Sequence, residues 1–465
     1  MSDPWDDAAS IARAVAGGTT TAAAVVATTL ARIAALNGAL NAFTDVTTDR
    51  AKARAAALDA GLAAGQAPGP LAGVPFAVKN LIDIAGLPTL AGSRINRDHP
   101  PALADAPLVT RLEAAGAILI GGLNMGEYAY DFTGENVHEG PSRNPHDPSR
   151  MTGGSSGGSG AAVGGGLVPI ALGSDTNGSI RVPSSFCGTF GLKPTYGRLT
   201  RAGSFPFVGS LDHLGPLARS VTDLALAYDA MQGYDPADAA CVNRPVEPVA
   251  AGIDAGIGGL RIAVAGGYFQ QSAMPEALAA LGAVAQALGV DRTVELPDAQ
   301  TARSAAYVIT TTEGAALHLA RLRARPGDFD PDVRDRLIAG ALVPGAVVAQ
   351  AQKFRRLFQA RVARVFDGVD AILAPATPCV APKIGQKTFV LNGQEMPVRP
   401  NIGLYTQPIS FIGLPVVTVP IPTASGLPIG VQIVTAAWRE DIALRIARAL
   451  ESAGTARTLT PTLES

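Results

Sequence analysis

Apolar positions in this chain recur with two different spacings. From Asp6 to Gly65 the spacing is helical, with Val26, Leu30 and Ile33 at i, i+4 and i+7, and Gly17-Gly18 and Gly38 fall where helix C-caps belong. An N-terminal helical layer is predicted. The pattern then shortens: Val74-Pro75-Phe76-Ala77-Val78 reads as a buried strand ending at Lys79. A helix around 108–115 and a strand over 117–120, closed by Gly121-Gly122, come next. Helix followed by buried strand predicts α/β layering.

Between Tyr130 and Met151 polar residues dominate, and Asn144-Pro145-His146-Asp147-Pro148 can hold neither a helix nor a central strand. This predicts a long loop of the kind that carries function. Beyond Gly153-Gly154-Ser155-Ser156-Gly157-Gly158-Ser159-Gly160 the pattern predicts a small-residue helix over 161–166, a strand over 168–172 and a tight turn over 173–179. The Ala/Gly-rich stretch near 236–262 reads as a link between lobes. Helices are predicted at about 303–323, 346–367 and 441–452, and buried strands at 370–375, 415–420 and 430–434. No internal repeat is visible. The fold class expected is α/β: an α/β/α sandwich around a mixed, mainly parallel central sheet, in a single domain over 1–465. Its parts are an N-terminal helical layer (1–65), a core (about 66–235), a helical lobe insertion (about 236–370) and the C-terminal part of the core (371–465).

Composition narrows the function classes. With 47% apolar and 16% charged residues over 465 positions, the chain can bury a large core. A net charge of −2 leaves no footprint for a polyanion, so no nucleic-acid or membrane partner is expected. Cys187, Cys241 and Cys379 are far apart with no CxxC pair, which argues for a reducing compartment. The first residues lack an apolar signal region, and no run of about 18 apolar residues free of Pro and dense Gly occurs, so a cytoplasmic protein is expected. Of 52 glycines, many fall between Gly153 and Gly191, where unusual backbone geometry is expected.

The chemistry-bearing residues gather around that region. A lysine at the end of an apolar strand either needs a partner or loses its proton, so Lys79 is a candidate general base. A buried ion pair or a snorkelling surface lysine are the other readings. The segment 153–160 lacks the Gly-Lys-Ser/Thr of a phosphate loop. It matches GxSxG, but no strand is predicted directly before it. A glycine-packed turn that brings serine hydroxyls to a reacting carbonyl, and a flexible linker, stay open. Residues 173–181 suit a turn whose N–H groups converge as an oxyanion hole, with Ser179 as candidate nucleophile. Asp175 and Arg181 are expected to brace that turn as an ion pair. His213 and His318 are available to a rival histidine-based mechanism. The five histidines show no HExxH, and no metal site is expected.

Together these residues resemble the amidase signature family. The resemblance is carried by Gly153–Ser159, then Ser174-Asp175-Thr176-Asn177-Gly178-Ser179-Ile180-Arg181-Val182-Pro183, Phe186-Cys187-Gly188 and Gly191-Leu192-Lys193-Pro194. Leu71-Ala72-Gly73-Val74-Pro75, Leu211-Asp212-His213-Leu214-Gly215-Pro216 and Leu427-Pro428-Ile429-Gly430-Val431-Gln432 extend it across nearly the whole chain. It implies the amidase signature fold and amide hydrolysis by a triad of Lys79, Ser155 and Ser179. Backbone N–H groups of Thr176, Asn177, Gly178 and Ser179 would form the oxyanion hole, with no cofactor. The family usually has glycine where this chain has Asn177.

Within the family the sequence is most similar to the 1-carboxybiuret hydrolases of bacterial cyanuric-acid breakdown, through Gly121-Gly122-Leu123-Asn124-Met125, Glu135-Asn136, Gly140-Pro141 and Ser204-Phe205-Pro206-Phe207. The alternatives are the glutaminase subunit of tRNA-dependent amidotransferases and a catalytically inactive partner subunit. In the glutaminase an arginine matching Arg355 grips the substrate carboxylate, and an aspartate matching Gly403 holds the ammonium. An anion clamp at Arg355 without an ammonium partner is therefore expected. Tyr128 and Tyr307 could line the pocket or sit in the core. The resemblance also implies a small-molecule amide substrate, a small helical partner subunit, and a homodimer or heterotetramer.

Overall fold

The computed structural model describes residues 5–463. Eleven strands form one sheet: β1 (Phe43–Val46), β2 (Pro75–Lys79), β3 (Ile118–Leu123), β4 (Ile170–Asp175), β5 (Phe190–Lys193), β6 (His213–Ala218), β7 (Ile262–Ala265), β8 (Thr293–Val294), β9 (Ala371–Pro375), β10 (Val416–Pro422) and β11 (Pro428–Thr435). Their spatial order is β1-β3-β2-β4-β6-β5-β10-β11-β9-β7-β8. The α/β class with a mixed sheet is as expected, but the balance of directions is different. Four of the ten neighbouring pairs are parallel and six antiparallel, so the sheet is not mainly parallel. One reason is local: only 423–427 joins β10 to β11, far too short for the crossover a parallel pair requires.

Helices cover both faces. Helices Gly157–Gly164 and Arg181–Cys187 pack together on one side, against β4 and against β10 and β11 respectively. Helices Val221–Met231 and Glu440–Ser452 pack together on the other. The latter is strongly two-sided, burying Ile442, Leu444, Ile446 and Leu450. The larger of two apolar clusters runs from Ala8 to Ala456, and a smaller one gathers Met151, Val182, Phe186, Phe389 and Ile402. Residues 236–370 contribute β7 and β8 to the sheet edge as well as helices Pro275–Ala287, Ala299–Ala324, Pro331–Ala341 and Gly345–Phe366.

Several local expectations shift. Helix Ala22–Leu40 runs through Gly38 and ends at Asn41, whose φ is 48°. The Asn37 side chain ends it by accepting from the N–H groups of Ala42 and Phe43. This helix is long and apolar enough to cross a membrane by length and composition, yet Val25, Val26, Ile33, Leu36 and Leu40 are buried in the protein. Strand β3 continues through Gly121-Gly122, because a side chain at Gly121 would collide with the Asp45 carbonyl on β1. The loop expected over 130–151 contains a small antiparallel hairpin, Arg143–Asn144 with Asp147–Met151.

Candidate active site

Strand β2 lies between β3 and β4 and ends in Lys79, which is completely buried. Its Nζ donates to Ser155 Oγ at 2.6 Å and to Ser174 Oγ at 2.8 Å, and it forms no ion pair among the described residues. Burial pulls its pKa down from 10.5 to about 7, against the opposing pull of the Asp212, Asp175 and Asp131 charges. Neither a buried ion pair nor a snorkelling surface lysine describes this residue. Near neutrality its proton is exchangeable.

The serine-rich segment is locked rather than flexible. Ser155, Ser156 and Ser159 are fully buried. Ser156 Oγ donates to Ser174 O and accepts from Ser174 N, while Ser159 Oγ donates to Leu172 O. Both are thus pinned to β4, and the Gly154–Ser155 peptide is cis. Ser155 alone of the three is bonded to Lys79. Contrary to expectation a strand does precede this segment: the hairpin strand Asp147–Met151 ends just before Thr152, outside the main sheet, and the helix that follows starts at Gly157.

The turn after β4 leaves its amides open. Among the described residues none of the N–H groups of Thr176, Asn177, Gly178 and Ser179 donates to a protein acceptor, whereas the next one, Ile180 N–H, donates to Asp175 Oδ2 at 3.2 Å. Gly178 has φ +144°, and a Cβ there would overlap the Thr406 hydroxyl, so only glycine fits. Asp175 and Arg181 form the expected bracing pair, with both side chains fully buried and Arg181 Nε 2.9 Å from Asp175 Oδ2. Arg181 also donates to Gln432 Oε1 and Thr406 O. Asp175→Asn leaves that guanidinium buried without its counter-charge. The expected loss is about 3–5 kcal/mol of unfolding free energy in guanidinium titrations, with the turn losing its brace.

Ser179 lines a cavity of about 140 Å³ together with Tyr130, Phe132, Asn177, Tyr307, Arg336 and Arg399, among others. Lys79 and Ser155 are not among its lining residues, and among the described residues no hydrogen bond joins Ser155 to Ser179. Tyr307 is on the wall, but Tyr128 is in the core. Its hydroxyl donates to Asn96 Oδ1, and its ring packs on His318, Phe205 and Phe329. Arg355 does not line the cavity either, which corrects the anion clamp expected there. Its Nε donates to Phe411 O at 2.6 Å and its Nη2 to Ser210 O at 2.8 Å, so the guanidinium holds two loops together.

The cations at the wall are Arg336 and Arg399, which no local pattern marks. Arg399 is surrounded by carboxylates, with Nη1 donating to Asp131 at 2.7 Å and Nη2 facing Asp332 and Glu135. Arg336 lies over the Tyr130 ring, 3.9 Å from its centroid, and donates to the carbonyls of Asp332 and Tyr130. It faces no carboxylate within ion-pair distance among the described residues. Gly403 abuts Phe132, and a Cβ there would overlap the ring unless Phe132 moved, so the chain presents no carboxylate at that point. Neither histidine reaches the cavity: His213 is bonded to Lys193 and main-chain carbonyls, and His318 is buried against Tyr128. Among the described residues no cluster of His, Cys, Asp or Glu is placed to hold a metal ion.

The family model described as Amidase matches residues 24–444. AtzE, the 1-carboxybiuret hydrolase subunit of Pseudomonas sp. (strain ADP), is 56% identical over 390 residues, covering 83% of this chain and 85% of that protein. One subunit of the glutamyl-tRNA(Gln) amidotransferase of Roseiflexus castenholzii is 38% identical over 411 residues, 82% of each. A solved structure described as an unexpected vestigial protein complex that reveals the evolutionary origins of an s-triazine catabolic enzyme superposes with a TM-score of 0.97 at 53% identity, over 98% of this chain and 100% of that one. The chain belongs to the amidase family and is an amide hydrolase.

Proposed function

We propose that this protein hydrolyses a small anionic ureido amide, 1-carboxybiuret or a close relative, and releases ammonia through an acyl-enzyme on Ser179. The observation that carries the reading is the 2.6 Å hydrogen bond from a fully buried lysine to Ser155. Neutral Lys79 takes the Ser155 proton, and Ser155 takes that of Ser179 as its Oγ bonds to the amide carbon. The open N–H groups of 176–179 hold the oxyanion, a contribution on the order of 3 kcal/mol where one such donor is lost. Collapse breaks the C–N bond while the relay returns a proton to nitrogen. Ammonia leaves, and water activated by the same relay then cleaves the acyl ester.

The substrate carboxylate pairs with Arg336, the cation at the wall with no counter-charge of its own. Arg336→Gln is expected to raise KM for the anionic substrate about 10- to 100-fold with kcat little changed. Initial rates of ammonia release on biuret, carboxybiuret generated in situ from cyanuric acid, allophanate and glutamine test the reading itself. Preference for carboxybiuret supports it. Preference for glutamine favours the glutaminase, a reading that Phe132 packed on Gly403 makes difficult, since no side chain is left there for an ammonium. An inactive partner subunit would fail to label with a serine-directed amidase probe. The protein is placed in the cytoplasm, as a homodimer or with a small helical partner subunit in a heterotetramer. The protein complex described for its structural neighbour supports an assembly with partner subunits, and the mass of the native particle tests that assembly.

A further inference from the structure

The geometry points to Asn177 as a specificity-determining residue: its side-chain Oδ1 accepts the N–H that a ureido compound carries beside the reacting carbonyl and a simple carboxamide lacks. This rests on the ureido substrate proposed above and goes on to name the group that recognises it. Asn177 is 6% exposed and lines the cavity two residues from Ser179. Its Nδ2 donates to Thr310 Oγ1 at 2.9 Å, from helix Ala299–Ala324, whereas its Oδ1 is buried with no hydrogen-bond partner.

The turn does not explain this side chain. Asn177 is not among the residues with positive φ, and it is Gly178 that takes the unusual conformation. The main chain at 177 is held through its own carbonyl, which accepts from Thr406 Oγ1 at 2.6 Å. A glycine would serve the backbone equally well. The asparagine adds only an amide anchored at one end by Thr310 and unpaired at the other. A buried acceptor without a donor is unfavourable, and a ligand that supplies the donor removes the penalty while an analogue lacking it does not. The acyl side of a ureido substrate presents such a donor, the N–H between its two carbonyls. In the corresponding malonic compound that position is a methylene, with nearly the same shape.

Biuret and malonamide differ in that one group, so their kcat/KM ratio reads the contact directly. The native protein is expected to favour biuret, and Asn177→Ala and Asn177→Gly to lower the ratio about tenfold. Thr310→Val, which frees the amide to turn, is expected to lower it several-fold. Damage to the oxyanion hole or partial misfolding would slow both compounds alike and leave the ratio where it was. An unchanged ratio in both Asn177 variants overturns the inference alone. A native protein that releases no ammonia from biuret or any other ureido compound overturns the proposed function with it.

Discussion

Ser179→Ala is expected to leave a folded protein that releases ammonia at least about 10⁴-fold more slowly than the native chain. When the nucleophile of a serine hydrolase is removed, what survives comes from the oxyanion hole and binding, and losses approach a millionfold. Ser179 is at the cavity wall, so loss of its hydroxyl takes no packing from the core, and the unfolding midpoint is expected to move little. Steady-state ammonia release and a serine-directed probe check the same point from two sides. Activity above a few per cent of native would transfer the nucleophile to Ser155. Ser156 is the weaker substitute, because its hydroxyl both donates to and accepts from the Ser174 backbone.

Lys79→Met is expected to abolish turnover and yet to make the protein more stable in mild acid. Burial holds the Lys79 pKa at about 7 against the usual 10.5. Between those values the unfolded chain binds a proton that the folded chain does not. Stability due to this group therefore rises with pH through the window, and the full penalty stands below about 7. Its ceiling is roughly 5 kcal/mol. Methionine fills similar volume without a charge, and the gain is partly offset by the Ser155 and Ser174 hydroxyls left without their donor. The excess stability of the variant should be largest near pH 6 and fade towards pH 10. Lys193, also buried and held at about 7, is present in both proteins and cancels. In the native enzyme kcat/KM should climb with pH to a plateau above about 7, as Lys79 becomes a free base. Denaturant titrations across pH, set beside the rate profile, check both halves. A native rate that falls as pH rises through 7 would remove Lys79 as the base.

How much could be read from the sequence follows from how local each signal is. The run 74–78 and the lysine that ends it could be read directly, because a buried strand on both faces is a continuous apolar run and a cation at its end has few explanations. The bracing of Asp175 by Arg181 was equally legible, lying only six residues apart along the chain. Strands β5 and β6 were not. Gly215-Pro216 interrupts the apolar pattern there, and the segment becomes a strand only because β4 and β5 flank it and supply its ladder.

The residues that shape the pocket were beyond local pattern altogether. Arg336 and Arg399 come from the helical segment and from a short helix near the C-terminus, and only folding brings them to the wall that Ser179 lines. Arg355 fits an anion clamp by helix position, yet the carbonyls of Ser210 and Phe411 surround its guanidinium in three dimensions. Ser174 shows the same limit: its register on β4 beside β2 makes it a second acceptor for Lys79. The glycines, serines and lysine that the proposed chemistry needs are written in short stretches of chain, since their requirements are met over a few bonds. Which cations reach the cavity and which amide N–H groups stay open was settled by the folded arrangement, because both depend on contacts between segments hundreds of residues apart.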